Sequence, residues 1–536
     1  MAINLRASAV AVENPQGFST VTVGFVVSVF CVLMFNQPFL STMVSAHGVH
    51  SLHDYLFAGS TIVFLLAVIN LLVGLAGFRY LFKLWLISLL LIGAAVFYFE
   101  NTYGVIVDRD MIRNSLETDS AEMAELFSWK LVFYVMTLGG IPSLLVARTR
   151  ISYGSLIREI ANKGLVLIAS LIVISLVALV FYQDYASVFR NNRHVRFLIM
   201  PVGPVYASYS YFTHQLANTS REVKIIGSDA QLGASWGEDR KKVVTLLVVG
   251  ETARAKNFSL NGYARQTNPY LDGQDVISFS NVHSCGTATS VSVPCMFSLK
   301  GRREFDPSDA HSEENVLDVV QRAGLGMLWR DNNSGCKGVC DRVEHEDLSH
   351  LTGDNNCRDD ECFDMVLMNA LEEKIDAYEK GVMIVLHQKG SHGPAYFQRV
   401  PADFRKFTPI CHTNQLQECS RSEILNAYDN SILYTDYFVS RLINFLKQHE
   451  SDYDASLIYV SDHGESLGEN GIYLHGLPYV IAPEEQTHVP FLFWMSGGFA
   501  SRFGVDGACL KASAGRELSH DNLFYSLLGL HDIQTG

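Results

Sequence analysis

Five long apolar segments in the first third of the sequence constrain the fold of this chain more than any other feature. Each approaches the roughly 20 residues that an α-helix needs to cross a bilayer. The first segment resembles a secretory signal peptide, but the apolar segments that follow it favour a multi-span anchor. The sequence therefore predicts five transmembrane helices, at Phe18–Phe35, Leu56–Leu75, Leu81–Phe99, Phe127–Ala147 and Gly164–Tyr182.

Basic residues between these segments set the expected orientation. The first connection (36–55) has no Lys or Arg, and the third (100–126) has more acidic than basic residues. The positive-inside rule therefore places the second and fourth connections in the cytoplasm. Because five is an odd number of spans, the large C-terminal part is expected on the opposite side. The basic residues of the second and fourth connections are Arg79, Lys83, Arg148, Arg150, Arg158 and Lys163.

Cysteine positions independently favour an oxidising location for the C-terminal part. Eight of the ten cysteines form close pairs, which suit disulfides that pin loops. A structural zinc site is the alternative, but the spacings do not repeat a CxxC pattern. Cys509 is left over, and we expect it to be a free buried thiol. The pairs are Cys285/Cys295, Cys336/Cys340, Cys357/Cys362 and Cys411/Cys419.

Length and composition indicate at least two parts in this chain of 536 residues. We expect a transmembrane domain at 1–183, a linker at 184–236 and a soluble domain at 237–536. The linker is polar and aromatic, so it either lies at the membrane interface or is a simple tether. The net charge is -14 and no Lys/Arg cluster occurs, so we expect no nucleic-acid partner.

The soluble part alternates apolar runs with amphipathic stretches. The runs Val243–Val249, Val382–Leu386 and Ser456–Val460 are continuous, as expected of strands buried on both faces. Helical patterns lie between them, at Glu314–Ala323 and Glu423–Lys447. This alternation predicts an α/β domain with a mostly parallel sheet.

Polar side chains able to bind a metal follow each of the three predicted strands. In open α/β sheets, ligands bind beyond the carboxyl ends of the strands. Mixed carboxylate and imidazole ligands suit zinc. Any one such residue alone is more typical of a turn or helix cap, so the hypothesis rests on their coincidence. The residues are Glu251, His387, His392, Asp462 and His463, with His475 on the loop that follows.

The hydroxyl-rich stretch 284–295 is the candidate source of a nucleophile. A small-residue turn before a helix presents backbone N–H groups to an anion. A metal that binds a hydroxyl there lowers the pKa of that hydroxyl, so that its oxygen can attack phosphorus. The alternative is a Thr/Ser helix cap without chemistry.

These residues lie in motifs that closely resemble the lipid A phosphoethanolamine transferases, which include the mobile colistin-resistance enzymes. The resemblance extends over almost the whole soluble part and implies an alkaline-phosphatase/sulfatase-like α/β fold beside a five-helix membrane domain. The motifs are VVGETARAKNFSLNGYARQTNP (Val248–Pro269), SCGTATSVSVPCMFS (Ser284–Ser298), WRDNNSGCKGVCD (Trp329–Asp341), LHQKGSHGPAYF (Leu386–Phe397), AYDNSILYTD (Ala427–Asp436) and VSDHGESLGENGIYLHG (Val460–Gly476).

The resemblance also implies roles for individual residues. The implied zinc ligands are Glu251, Thr289, Asp462 and His463, with Thr289 also the nucleophile. His392 and His475 match positions that hold phosphoethanolamine or a second zinc, and Asn333 and Lys337 match substrate-contacting positions, whereas His387 matches no family ligand. In the third connection Asn114, Thr118 and Glu122 resemble residues that reach the site, and their spacing puts them on one helix face. A solvated helix is the alternative there.

The activity implied is transfer of phosphoethanolamine from phosphatidylethanolamine to a lipid A phosphate through a phosphoethanolamine-threonine intermediate. The enzyme would be a zinc-dependent, multi-pass monomer of the bacterial inner membrane with its catalytic domain in the periplasm. Resistance to polymyxins such as colistin would follow, because the added amine weakens attraction of cationic peptides.

Three alternatives stay open from the sequence. In the first two, the acceptor of phosphoethanolamine is core oligosaccharide or protein instead of lipid A. In the third, the enzyme is a related periplasmic metal-dependent phosphodiesterase or hydrolase. A sulfatase is disfavoured because no CxPxR-type run occurs at Cys285–Cys295. A degenerate, non-catalytic binding protein is disfavoured because all the family ligand positions are filled.

Overall fold

The computed structural model describes residues 17–48, 50–75, 79–118, 120–218, 222–237, 240–358 and 361–536. The chain divides into two compact units. The first takes in the described residues of 1–102, 106–108 and 128–209, and the second those of 103–105, 109–127 and 210–536. The division falls within the segment 184–236 that the sequence sets apart as a linker.

The first unit is helical. Within its described residues, four helices are long and apolar enough to cross a membrane. The bent pair Thr20–Phe35 and Gln37–His47 raises the number of candidate spans to five if the two helices form one span. The predicted helical membrane domain is therefore confirmed. The helices and helical segments are Thr20–Phe35, Gln37–His47, Leu52–Leu75, Phe82–Tyr103, Trp129–Tyr134, Val135–Gly140 (a π-helix), Ile141–Arg148, Leu156–Val180, Tyr182–Asn191 and Val202–Asn218.

Asn36 marks the break in the first span, where the two helices meet at 62°. Pro38 lies in the first turn of the second helix, where its missing N–H costs no helical hydrogen bond. The buried Asn36 amide donates to Cys31 O (2.9 Å) and Met200 O (2.8 Å) and accepts from Met200 N (2.9 Å). These bonds fix the bend, because a buried amide without partners would be unfavourable.

The second unit contains an eight-stranded sheet in its described residues. In chain order, the strands are β1 Lys242–Gly250, β2 Ile277–His283, β3 Gly326–Asp331, β4 Glu344–Asp347, β5 Gly381–His387, β6 Tyr453–Ser461, β7 His488–Met495 and β8 Leu518–Ser519. Their order across the sheet is β8-β2-β7-β6-β1-β5-β3-β4. The central neighbours β6, β1, β5 and β3 are parallel, while β7 is antiparallel to both β6 and β2. The three strands predicted from the sequence are β1, β5 and β6, which are adjacent in this sheet.

Helices cover the sheet as expected of an α/β domain. Val316, Leu317 and Leu527 join sheet residues in one buried cluster, so the helices Val316–Ala323 and Leu523–Leu530 pack on one face. The predicted helix at 423–447 is observed as Arg421–Gln448; it begins at a Ser420/Glu423 capping box and packs against β6. The helices of this unit are Arg109–Glu117, Ser120–Leu126, Thr289–Met296, Val316–Ala323, Leu371–Asp376, Arg421–Gln448, Glu484–Thr487, Gly497–Phe503, Gly507–Ser513 and Leu523–Leu530.

All four predicted cysteine pairs are disulfide-bonded. The expectation for Cys509 is half wrong: its thiol is free but exposed. It lies on the short helix Gly507–Ser513, which has no buried residue and packs on the core through the partly buried Leu510.

The prediction that Asn114, Thr118 and Glu122 share one helix face is also wrong. The first helix ends at Glu117 and a second begins at Ser120. Thr118 lies at this break, and a short polar side chain of this kind competes with the helical backbone for hydrogen bonds. The Thr118 hydroxyl does so, since it donates to Asn114 O at 2.6 Å.

Candidate active site

The ends of β1 and β6 bring three acidic and imidazole side chains together. Gly250 and Ser461 pair at the ends of these parallel strands, and Asp462 N donates to Gly250 O at 2.9 Å. Glu251, Asp462 and His463 follow directly and are fully buried. One ligand atom from each lies within 4.8 Å of the others, which is compact enough to hold a metal ion.

Thr289 joins this cluster as the first residue of the helix Thr289–Met296. Its Oγ1 lies 3.1 Å from Glu251 Oε2 and 3.3 Å from His463 Nε2. The first N–H groups of a helix have no partner within the helix, so this terminus favours a bound anion. The hydroxyl therefore faces both the acidic cluster and a place suited to a phosphate group.

Two links hold the Thr289 helix in place. The Cys285–Cys295 disulfide joins the preceding turn to the helix. Ser292 Oγ donates to Asp462 O at 2.5 Å. The position of the Thr289 hydroxyl is therefore determined by covalent and buried polar contacts.

The tautomer of His463 determines what its other nitrogen can do. Nδ1 lies 2.9 Å from Gly464 O, which only accepts, so Nδ1 carries the proton. Nε2 then presents a lone pair, and it lies 3.4 Å from Glu251 Oε1 and 3.3 Å from Asp462 Oδ2. Burial lowers the pKa of His463 well below its usual value, which keeps the ring neutral.

Three acceptor atoms, Glu251 Oε1, Asp462 Oδ2 and His463 Nε2, thus converge in a buried space. The single hydroxyl proton of Thr289 cannot satisfy all three. Among the described residues, no donor hydrogen-bonds to Asp462 Oδ2. Burial raises the pKa of Asp462 to about 6. Converging lone pairs on oxygen and nitrogen are what a divalent cation requires, so the donor set fits a metal ion.

His392 and His475 line the same site. Their ring centroids are 5.4 Å apart, and the His475 ring is 4.5 Å from that of His463. Glu465 bonds His475 Nδ1 at 2.9 Å and also accepts from the Tyr396 hydroxyl at 2.6 Å. The orientation of His475 is therefore set by a buried carboxylate.

Asn333 contacts the buried carboxylate of Glu251 directly. Its Nδ2 donates to Glu251 Oε2 (2.7 Å) and Gln388 O (2.8 Å). Asp331, at the end of β3, accepts from Asn333 N at 2.8 Å and pairs with His387 at 2.9 Å. Burial opposes the charge on Asp331, but the His387 partner and hydrogen bonds prevail and lower its pKa to about 2.

Lys337 lies on the same loop in a left-handed backbone conformation, with φ of 52°. Its Nζ donates to Ser334 O at 2.8 Å and to Glu117 O at 3.3 Å. Lys337 thus connects the loop after β3 to the end of the helix Arg109–Glu117.

The residues of the third connection are placed in part. The helix Arg109–Glu117, which carries Asn114, packs against the helix that begins at Thr289. Thr118 immediately follows it. The side chain of Glu122 lies outside the described residues.

Several residues that support the site were not predicted from the sequence. Glu465 lies two positions after His463, and that proximity was the available signal. His520 offers none, because its partners are distant in sequence: Nε2 bonds Ser461 O at 3.0 Å and Nδ1 accepts from Cys285 N at 3.1 Å. It joins the end of β6 to the turn before Thr289.

Two family comparisons cover most of the chain. The sequence model described as "Phosphoethanolamine transferase EptA/EptB" matches residues 65–216, and the model described as "Sulfatase" matches residues 244–533. The latter agrees with the alkaline-phosphatase/sulfatase-like fold expected for the second unit.

Individual relatives match over nearly the full length. The chain is 44% identical to "Phosphoethanolamine transferase EptA" of Escherichia coli (strain K12), over 93% of this chain and 92% of the relative. It is 40% identical to "Phosphatidylethanolamine transferase Mcr-1" of Escherichia coli, over 86% and 85%. The solved integral membrane lipooligosaccharide phosphoethanolamine transferase A from Neisseria meningitidis superposes with a TM-score of 0.92 at 36% identity, covering 97% of each chain.

Proposed function

The chain belongs to the lipid A phosphoethanolamine transferase family, and from that premise we propose that it transfers phosphoethanolamine from phosphatidylethanolamine to a lipid A phosphate. Thr289 would carry the group between the two lipids. Zinc would be the bound metal, held by Glu251, Thr289, Asp462 and His463.

The observation that carries this proposal is the place of the Thr289 hydroxyl. It lies 3.1 Å from Glu251 Oε2 and 3.3 Å from His463 Nε2, at a helix N-terminus. A bound zinc ion would lower the pKa of this hydroxyl and stabilise negative charge on a phosphoryl group. A helix cap without chemistry would not need two fully buried ligand side chains against its hydroxyl.

The chain's residues then account for a double displacement. Thr289 Oγ1 attacks the donor phosphorus, the bond to the glycerol oxygen breaks, and diacylglycerol leaves with the threonine proton. An oxygen of the acceptor phosphate attacks the same phosphorus, the bond between phosphorus and Thr289 Oγ1 breaks, and the proton that the acceptor phosphate loses returns to Thr289 Oγ1. The backbone N–H groups at the start of the Thr289 helix stabilise charge on the phosphoryl oxygens in both steps.

Other residues would position the transferred group. Glu465 holds His475 beside His463, and His392 lies across from His475, so the two rings can orient phosphoethanolamine or hold a second zinc. Lys337 would add a cation at the phosphate, and Asn114, Thr118 and Glu122 would contact substrate from the third connection. Asn333, which bonds Glu251, would act on the metal ligand as well as on substrate.

The membrane helices suit this reaction because both substrates are membrane lipids. We propose that residues 1–183 anchor a monomer in the bacterial inner membrane, that 184–236 is an interfacial linker, and that 237–536 lies in the periplasm. Four disulfides support that compartment. Transfer adds an amine to an anionic surface, which supports resistance to colistin.

The test is mass spectrometry of lipid A from cells that express the full chain, Thr289→Ala or Thr289→Ser, fed with isotope-labelled ethanolamine. We expect labelled phosphoethanolamine on lipid A with the parent chain, none with Thr289→Ala, and reduced transfer with Thr289→Ser. Intact-protein mass spectrometry should find the adduct on Thr289. Full transfer by a folded Thr289→Ala variant would refute the nucleophile, and label on core sugars or protein alone would refute the acceptor.

A further inference from the structure

A cavity of about 440 Å³ lies in the second unit, and none of the four proposed zinc ligands lines it. Its size is in the range of small-molecule sites. Lys389, Arg399 and Arg405 line it from one stretch of chain, and Arg358 and Glu361 line it from two short antiparallel strands that the Cys357–Cys362 disulfide joins. Neither the metal site nor the proposed transfer chemistry accounts for it.

The carboxylates of this cavity are matched by protein partners. Arg399, whose side chain is 2% exposed, pairs with Glu125 at 2.5 Å and with Glu361 at 2.7 Å. Lys389 lies 3.5 Å from the other oxygen of Glu361. Asp364 accepts from the backbone N–H of Lys389 at 2.8 Å and from further donors. Glu125 Oε2 and Glu361 Oε1 accept no hydrogen bond in the described part of the chain. Among the described lining residues, however, four cationic side chains (Arg358, Lys389, Arg399 and Arg405) face three carboxylates, so positive charge is in excess.

The guanidinium groups of Arg358 and Arg405 also line the cavity, and they differ from Arg399 in having no carboxylate partner in the described part of the chain. Among the described residues, no carboxylate lies within ion-pair distance of Arg358 or Arg405; Asp359 and Asp360 lie outside the described residues. Arg405 Nη2 donates to Phe397 O at 3.0 Å, whereas its buried Nε has no acceptor in the described part of the chain. A buried charged donor without a partner is unfavourable, so an anionic ligand would stabilise it.

The cavity shares one loop with the metal site. Lys389 lines the cavity, and His392, three residues later, lies in the metal site. Arg399 Nε donates to His392 O at 3.0 Å from within the cavity wall. A ligand that touches both sites would therefore carry two anionic groups joined by a spacer.

We propose that this cavity is a specificity subsite for a second phosphate monoester of the acceptor glycolipid, the phosphate that is not modified. Arg405 and Arg358, which both line the cavity, bind that phosphate by charge-assisted hydrogen bonds. The inference rests on the proposed function and names how its acceptor is recognised.

The experiment separates the two half-reactions of the full-length protein in detergent. The first is release of diacylglycerol from fluorescent phosphatidylethanolamine, and the second is transfer to bis-phosphorylated or mono-phosphorylated lipid A. Arg405→Gln and Arg358→Gln are compared with Lys406→Gln, which makes the same change of charge at an exposed neighbour that does not line the cavity.

We expect Arg405→Gln to raise KM for the bis-phosphorylated acceptor roughly tenfold or more, since a charge-assisted hydrogen bond is lost. Diacylglycerol release and KM for the mono-phosphorylated acceptor should equal those of the parent and of Lys406→Gln. Equal KM values for the two acceptors in the parent protein would overturn the subsite. So would an equal loss in both half-reactions, which would indicate a donor or structural role.

Inhibition by inorganic phosphate tests whether the cavity binds a free anion or the phosphate group of a lipid. If phosphate inhibits transfer to both acceptors equally and Arg405→Gln abolishes only that inhibition, the cavity binds free phosphate and the acceptor assignment is wrong. Failure of the proposed function has a different signature: the parent protein would form no Thr289 adduct from phosphatidylethanolamine. That result would overturn both proposals.

Discussion

Asn333 Nδ2 donates a hydrogen bond of 2.7 Å to Glu251 Oε2, and this contact joins the loop after β3 to the end of β1. The same nitrogen lies 2.8 Å from Gln388 O, at the end of β5. One amide thus connects three neighbouring strands and fixes the direction of the carboxylate beside Thr289. Outer-shell contacts of this kind orient metal ligands.

Asn333→Ala should therefore weaken metal binding. We expect a loss of roughly 10- to 100-fold in metal affinity or activity, the range for outer-shell partners. Metal content after dialysis, measured by elemental mass spectrometry, gives the first readout, and transfer at saturating substrate gives the second. Asn333→Asp should be worse at neutral pH, because it places a second carboxylate against Glu251.

The matched control is Asn444→Ala, which removes an amide that accepts from Gln274 at 3.3 Å on the Arg421–Gln448 helix. It should leave metal content unchanged. If Asn333→Ala retained full metal and lost only substrate affinity, its role would be the substrate contact that the family resemblance implies.

Much of the second unit was predictable from its buried strands. β5 and β6 are buried along their whole length, and β1 is buried from Val243 onward, so each strand contains an apolar run. β4 was not predictable, because Glu344–Asp347 is a charged edge strand without an apolar pattern. The break in the third connection was missed because i, i+4 spacing takes no account of short polar side chains that end a helix.

The candidate site was predictable where chemistry follows directly on a strand. Glu251, Asp462 and His463 could be found in this way, because the ends of parallel strands meet at one sheet edge. Glu465, Asp331 and His520 could not, because their roles depend on partners brought in by the fold. His520, for example, bonds Ser461 O across 59 residues of sequence.

The Cys285–Cys295 disulfide should matter more for activity than for stability. Replacing both cysteines with Ala should cost about 2–3 kcal/mol in the free energy of unfolding, as expected of a short loop. Transfer should fall further, because the bridge constrains the turn before Thr289. Denaturant melts and initial rates on the same preparation provide the measurement.

The Cys411–Cys419 pair is the control for this prediction. Its sequence separation of 8 is close to the 10 of the first pair, so the stability effects should be similar. Equal losses of activity in the two double variants would argue against a special role for the first bridge.

His531 should make stability depend on pH. It is fully buried, with Nδ1 2.8 Å from Leu527 O and Nε2 2.7 Å from Thr245 Oγ1, and burial lowers its pKa to about 4 from the usual 6.5. Between pH 6.5 and 4 the unfolded chain takes up a proton that the folded chain does not. The free energy of unfolding should therefore fall by about 3 kcal/mol as pH decreases through this window.

The measurement is chemical denaturation of the full chain across that pH range. His531→Asn should be less stable at pH 7, since it leaves core polar groups with poorer partners, but its stability should change less steeply with pH. An unchanged slope in this variant would assign the pH dependence to other groups.

Arg399 should be a costly charge to remove. It is almost fully buried and holds Glu125, whose own side chain is 8% exposed. Burial raises the pKa of Glu125, and Arg399 opposes that shift. Arg399→Met leaves Glu125 without its partner, so we expect a loss of about 3–5 kcal/mol in the free energy of unfolding.

The double variant Arg399→Met/Glu125→Met distinguishes a lost attraction from a stranded charge. If the cost comes from the unpaired Glu125 carboxylate, the double variant should be more stable than Arg399→Met alone, because that carboxylate is gone as well. Arg441→Gln, at an exposed position, should change stability by no more than about 0.5 kcal/mol. Additive losses in the double variant would mean that Arg399 stabilises the fold mainly through its ion pair with Glu361, its bond to His392 O and packing, and not through its pairing with Glu125.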